Sequence, residues 1–134
     1  MQETDLISKY GDELKNDFHI DQLNLKEQSM KIISFKHKWV ARLINHKQNL
    51  NKLKKLYKLT KDKAIDEIRS SSPVTLTLST LEAKADNTDL CKSITNKIQE
   101  ENLIIDYLDK VESIFRSMTY DIKNLIDIIK LETT

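Results

Sequence analysis

The chain has 134 residues, of which 32% are charged and 6% aromatic, and a formal net charge of +1. A single glycine (Gly11) and a single proline (Pro73) leave too few turn formers for an all-β or α/β fold, and a lone cysteine (Cys91) excludes an internal disulfide. No basic-then-apolar leader opens the chain and no apolar run approaches a membrane span, so we expect a soluble, intracellular, mainly α protein of single-domain size.

Residues 4–16 read as a first helix, because Leu6, Ile7, Tyr10 and Leu14 share one face at spacings of three and four. Gly11 weakens it by roughly 1 kcal/mol relative to alanine. Phe18 and Ile20 flank His19 in a short extended connector, an apolar pair able to dock onto neighbouring helices. Asp21 is an N-cap for a second helix, and Asn24 with Glu27 offers an alternative capping box.

From there to Ser70 nothing breaks a helix. Leu25, Ile32, Trp39, Leu43, Leu50, Leu53, Tyr57, Ala64 and Ile68 recur at spacings of three, four and seven, the seam of a long amphipathic or coiled-coil helix. Lys36, His46 and Thr60 interrupt that seam, and the asparagines at Asn45–Asn51 mark a place where the helix can bend or break.

Ser72-Pro73 ends the helix, since the residue before proline resists the helical conformation. Residues 74–79 (VTLTLS) then alternate strictly, with Val74, Leu76 and Leu78 on one side, which predicts a short β segment. A lone strand needs a partner, and pairing across a subunit boundary supplies one. Asp86 opens the last helix, with Asp89 in its first turn, and the helix runs to about Leu131. Its stripe includes Ile105, Leu108, Phe115, Ile122 and Ile126, widened by Ile104, Val111, Met118 and Leu125. A face this broad exceeds what one antiparallel neighbour covers, so those first five are our candidate oligomerisation residues.

Charge is sharply segregated along this frame. Residues 31–63 hold eleven basic side chains against one acid, Asp62. Residues 1–30 carry seven acids against three lysines, and residues 64–134 thirteen acids against eight basic groups. Surface helices normally intersperse both signs, so a block of ten excess positive charges on a helix points to a polyanion. Lys47, Lys54, Lys58 and Lys61 stack into one stripe, which Lys52 and Lys55 widen. We take Lys38, Arg42, Lys47, Lys54, Lys55, Lys58, Lys61 and Lys63 as candidate nucleic-acid-binding residues. Trp39 and Tyr57 are aromatic candidates for base stacking, but both lie on the apolar seam, where core packing is the better reading.

Catalytic chemistry finds no footing. His19, His37 and His46 share no ligand spacing with Cys91 or with carboxylates, and Cys91 reads as buried beside Ile94. No Ser/His/Asp arrangement, glycine-rich phosphate loop or HExxH is present, so we expect a non-enzyme with no metal and no cofactor.

The pieces and their order resemble the UvsY family, recombination mediators of T4-type bacteriophages. DELKNDFHID (12–21) and SFKHKW (34–39) are similar to the N-terminal half of that family, and LYKLTKDK (56–63) stands where it places its basic DNA-contact segment. TLEAKADNTDL (80–90) and the helix from 96 to 130 are similar to its C-terminal half, through Leu108, Val111, Ile114, Ile122, Lys123, Asn124 and Ile126. The family's basic segment continues into a Tyr-Tyr pair and a glycine, whereas this chain has AIDEIRSSS (64–72). Lys58, Lys61 and Lys63 stand nearest to the basic pair that the family uses on DNA.

The resemblance implies a single recombination-mediator domain over 1–134. N-terminal helices with the basic rod would occupy 1–72, a β linker 73–85 and an oligomerisation helix 86–131. It further implies a ring-like homo-oligomer, hexamer or heptamer, that binds single-stranded DNA without a membrane. Such a ring helps a RecA-like recombinase displace the phage single-strand-binding protein in the cytoplasm of the infected host. Two other readings stay open: a helical ring for DNA packaging or scaffolding, and a coiled-coil adaptor whose lysines meet an acidic protein.

Overall fold

The computed structural model describes residues 3–19 and 25–133. Among them the chain forms four helices and no strand: α1 (Glu3–Asp17), α2 (Leu25–Ser71), α3 (Leu78–Asp86) and α4 (Asp89–Thr133). The mainly helical expectation is met. Ile20, the Asp21 cap and the Asn24 end of the capping box lie outside the described residues. α2 is helical at every position through Asn45–Asn51, so the asparagines do not interrupt it. His46 sits at the seam because its Nδ1 meets Glu101 Oε2 at 2.7 Å, a polar pair in a position expected to be apolar.

The predicted β segment is not formed. Residues 72–77 are an irregular connector, and Leu78 already belongs to α3. Thr77 is extended (φ −69°, ψ 156°) because it caps α3, accepting the Thr80 backbone N–H on its hydroxyl at 3.2 Å. Cap chemistry therefore replaces a ladder that had no second strand to pair with. Of the three residues assigned to one strand face, Leu76 packs inward while Val74 and Leu78 are exposed. The linker is thus a connector followed by a helix. α4 also starts later than expected: Asp86 is the last residue of α3, and the Thr88 carbonyl accepts from Lys92 N–H to open α4.

The chain divides into two compact units. Unit 1 is Met1–Asn45 with Ile104–Thr134, and unit 2 is His46–Leu103. Unit 1 buries Leu14, Trp39, Leu43, Ile104, Ile105, Leu108, Val111, Phe115, Met118 and Ile122, with Phe115 almost fully enclosed. Phe18 meets Phe115 edge-on at 4.6 Å between ring centroids, and Tyr10 meets Trp39 the same way at 5.5 Å. Each large apolar side chain so enclosed contributes about 1.5–3 kcal/mol of transfer free energy. Unit 2 has a smaller core, in which Ile65 of α2 meets Leu81 and Ala85 of α3, with Ala64, Ile68 and Leu76 against them. Leu81 and Ala85 are four apart, as one helix face requires. Cys91 is fully buried in unit 2 with Ile94, as its sequence setting suggested.

Candidate nucleic-acid interface

In unit 2 the sequence of α2 separates two faces. Leu50, Leu53, Tyr57, Ala64 and Ile68 turn inward at helical spacing, each half-buried. The lysines fill the remainder. Lys47, Lys52, Lys54, Lys55, Lys58 and Lys63 are all exposed, and none forms an ion pair among the described residues. Lys47, Lys54 and Lys58 stack along one flank, while Lys52, Lys55 and Lys63 lie further round, together with Leu56 and Leu59. Six ammonium groups in seventeen residues of one helix form a dense positive face. One acid, Asp62, lies in the same stretch.

Lys61, predicted for the same stripe, is placed differently. Its Nζ lies 3.3 Å from Asp86 Oδ1, at the end of α3. The Tyr57 hydroxyl donates to the same carboxylate. Holding a proton against that carboxylate, with burial assisting, pushes the Tyr57 phenol up to about 12. The same hydrogen bond, ahead of the Lys61 ammonium, holds Asp86 below the usual carboxylate range. Lys61 and Tyr57 therefore fasten α2 to the end of α3 rather than facing outward. Tyr57 does not offer a free ring for stacking.

Lys38 and Arg42 belong to unit 1 and are engaged there. Lys38 Nζ lies 2.7 Å from Asp17 Oδ2 and 3.2 Å from Glu13 Oε2. Arg42 grips Glu13 with both terminal nitrogens. The guanidinium also sits over the rings of Tyr10 and Trp39, at 5.1 and 4.8 Å from their centroids. The hydrogen bond from Arg42 holds the Glu13 carboxyl below its ordinary range, and Arg42 is raised in turn. These two cations clamp α1 onto α2. What sequence spacing missed is the acidic side of the clamp, carried by Glu13 and Asp17 four residues apart on α1.

Of the candidate oligomerisation residues, Ile105, Leu108, Phe115 and Ile122 are enclosed within unit 1 of the single chain. Ile126 is 36% exposed. The apolar side chains that unit 1 leaves outside include Met30 and Ile33 on α2 and Ile114, Leu125 and Ile128 on α4. Among the described residues no group of three or more His, Cys, Asp or Glu is arranged to hold a metal ion, and no helix is long and apolar enough to cross a membrane.

Three crystal structures of the bacteriophage T4 recombination mediator protein UvsY share this fold. Lattice type IV superposes with a TM-score of 0.81 at 15% identity, covering 94% of this chain and 98% of the T4 chain. Lattice type II gives 0.81 at 16% identity over 95% and 97%, and lattice type I gives 0.78 at 16% over 91% and 97%. No curated protein matches the sequence. The model of the family described as "Recombination, repair and ssDNA binding protein UvsY" matches residues 13–134, and the chain belongs to that family.

Proposed function

We propose that this protein is a recombination mediator that binds single-stranded DNA on the lysine face of α2 in unit 2 and helps a RecA-like recombinase replace the single-strand-binding protein. The observation that carries this reading is the absence of any intramolecular partner for Lys47, Lys52, Lys54, Lys55, Lys58 and Lys63 among the described residues. Family membership and the fold shared with the T4 mediator support it.

No covalent step is involved. The mediator acts by holding the strand in a form that favours recombinase and weakens the competing coat. Copies of the chain assemble into a ring, so that several weak lysine faces act on one strand and raise affinity without a new kind of contact. The uncovered apolar side chains of unit 1 support that assembly. The work is done in the cytoplasm of the infected host.

The test compares wild type with a Lys47→Glu, Lys54→Glu, Lys58→Glu variant in a salt series, by fluorescence anisotropy of labelled single strands. These three are chosen over Lys61 because none of them fastens one helix to another. The expected result is a wild-type log K falling by about 0.7 per log salt for each phosphate neutralised, with affinity and slope both reduced in the variant. Equal binding by the two proteins would assign the lysine face to a protein partner instead.

A further inference from the structure

A face made only of lysines does not prefer single strands. Duplex DNA carries a phosphate charge about every 1.7 Å of axis, a denser target for ammonium groups than an unpaired strand. Preference for an unpaired strand requires a contact that only exposed bases supply, and aromatic stacking is the usual source. Unit 2 has one aromatic residue, Tyr57, and its hydroxyl is tied to Asp86.

Leu56 and Leu59 fill that gap. They are the two large apolar side chains that α2 exposes within unit 2, at 48% and 69% of their full accessible surface. Three residues apart, they lie side by side on one face of the helix. Lys52 and Lys63 stand four residues before Leu56 and four after Leu59, and Lys55 adjoins Leu56; one acid, Asp62, borders the patch. The core of unit 2 does not use either leucine, since the inward seam runs through Leu53, Tyr57 and Ala64.

We propose that Leu56 and Leu59 are base-contacting residues that set the preference of this face for unpaired strands. The inference rests on the reading of the lysine face as the DNA-binding surface. Lysines hold the phosphates while splayed bases lay their apolar faces on the two leucines. In a duplex those faces are stacked inside the helix, and reaching them costs a few kcal/mol per step. The lysines that flank the two leucines select a polyanion as the occupant by charge.

The test uses an oligothymidine strand, an abasic strand of the same length and a duplex, with oligomeric state followed by sedimentation. Leu56→Ala with Leu59→Ala removes the apolar contact while favouring the helix, and Leu56→Met with Leu59→Met keeps it. Wild type is expected to bind the base-bearing strand about threefold to tenfold more tightly than the abasic one, from the apolar area two leucines cover. The alanine variant should lose that ratio and keep its abasic affinity, duplex affinity and salt slope, and the methionine variant should retain the ratio. The proposal is overturned if wild type does not distinguish the strands, if the alanine variant still does, if all three probes weaken equally, or if the oligomeric state changes. Unchanged DNA binding by the Lys47→Glu, Lys54→Glu, Lys58→Glu variant would instead overturn the underlying reading of the face, and this proposal with it.

Discussion

Trp39 Nε1 donates to Asp17 Oδ2 at 2.8 Å, and the same oxygen accepts Lys38 Nζ at 2.7 Å. Asp17 is 6% exposed, a nearly buried carboxylate whose charge is answered by one ammonium and one indole N–H. Replacing it by alanine strands the buried Trp39 N–H and leaves Lys38 only its longer pair with Glu13. Asp17→Ala should cost about 2–4 kcal/mol in urea unfolding, because a buried partner left unsatisfied forfeits its full desolvation penalty. Glu27→Ala, which removes only an exposed pair with Lys31, should cost under about 1 kcal/mol. Equal costs would place Asp17 outside the framework of unit 1.

The dependence on pH comes from the groups whose proton affinities move on folding. Glu13 and Asp86 are both held below the ordinary carboxylate range in the folded chain, so the unfolded chain binds their protons more tightly. The stability they add is complete above the ordinary carboxylate range and is lost as pH falls through their lower folded values. Tyr57 runs the other way. Its raised value adds stability that is complete below the ordinary tyrosine range and is lost as pH rises through about 12. Thermal midpoints taken across the acid range should fall less steeply for Asp86→Asn than for wild type. The tyrosinate absorbance of wild type minus Tyr57→Phe should develop near 12; development in the ordinary tyrosine range would show that the bond to Asp86 is absent in solution.

A stabilising change is available on α1. A Cβ added at Gly11 meets only the Tyr107 hydroxyl, at 3.7 Å, an ordinary contact. Gly11→Ala should therefore raise stability by about 0.5–1 kcal/mol, mainly by narrowing the unfolded chain's freedom. A lower melting temperature would mean that α1 needs the space that the glycine leaves.

Enclosed and exposed apolar side chains both occur along α4. Phe115 is 1% exposed, and Phe115→Ala should cost about 3–5 kcal/mol of stability wherever the chain is studied. Leu125 and Ile128 lie outside the core. Leu125→Glu with Ile128→Glu should leave the helical circular dichroism intact and shift sedimentation toward smaller species. A double variant that sediments as wild type does would take this flank of α4 out of the assembly surface.

Periodicity read the long elements well, because Ile32, Trp39, Leu43, Leu50 and Leu53 on α2, and Leu108 to Ile122 on α4, repeat at helical spacing over many turns. It failed at 74–79, where two alternating pairs of Thr and Leu fit a strand and a helix entry equally well. The deciding interaction, Thr77 with the Thr80 N–H, is a single cap worth about 1 kcal/mol. The clamp around Lys38 and Arg42 was invisible for another reason. Charge along a sequence shows which ammonium groups are abundant, while the acids that answer them, Glu13 and Asp17, come from an element more than twenty residues away. Of the eight candidate nucleic-acid-binding residues, those beyond residue 46 retain the expected freedom, Lys61 excepted. The two leucines among them fall off the seam, and sequence alone does not show that the fold leaves them exposed.

Cys91, the sole thiol, has no accessible surface at all. Alkylating reagents and oxidants that need an exposed sulfur pass it by while the fold holds. A cysteine introduced at an exposed position such as Asn51 can therefore take a maleimide dye selectively without first removing the native one, in an otherwise unaltered chain.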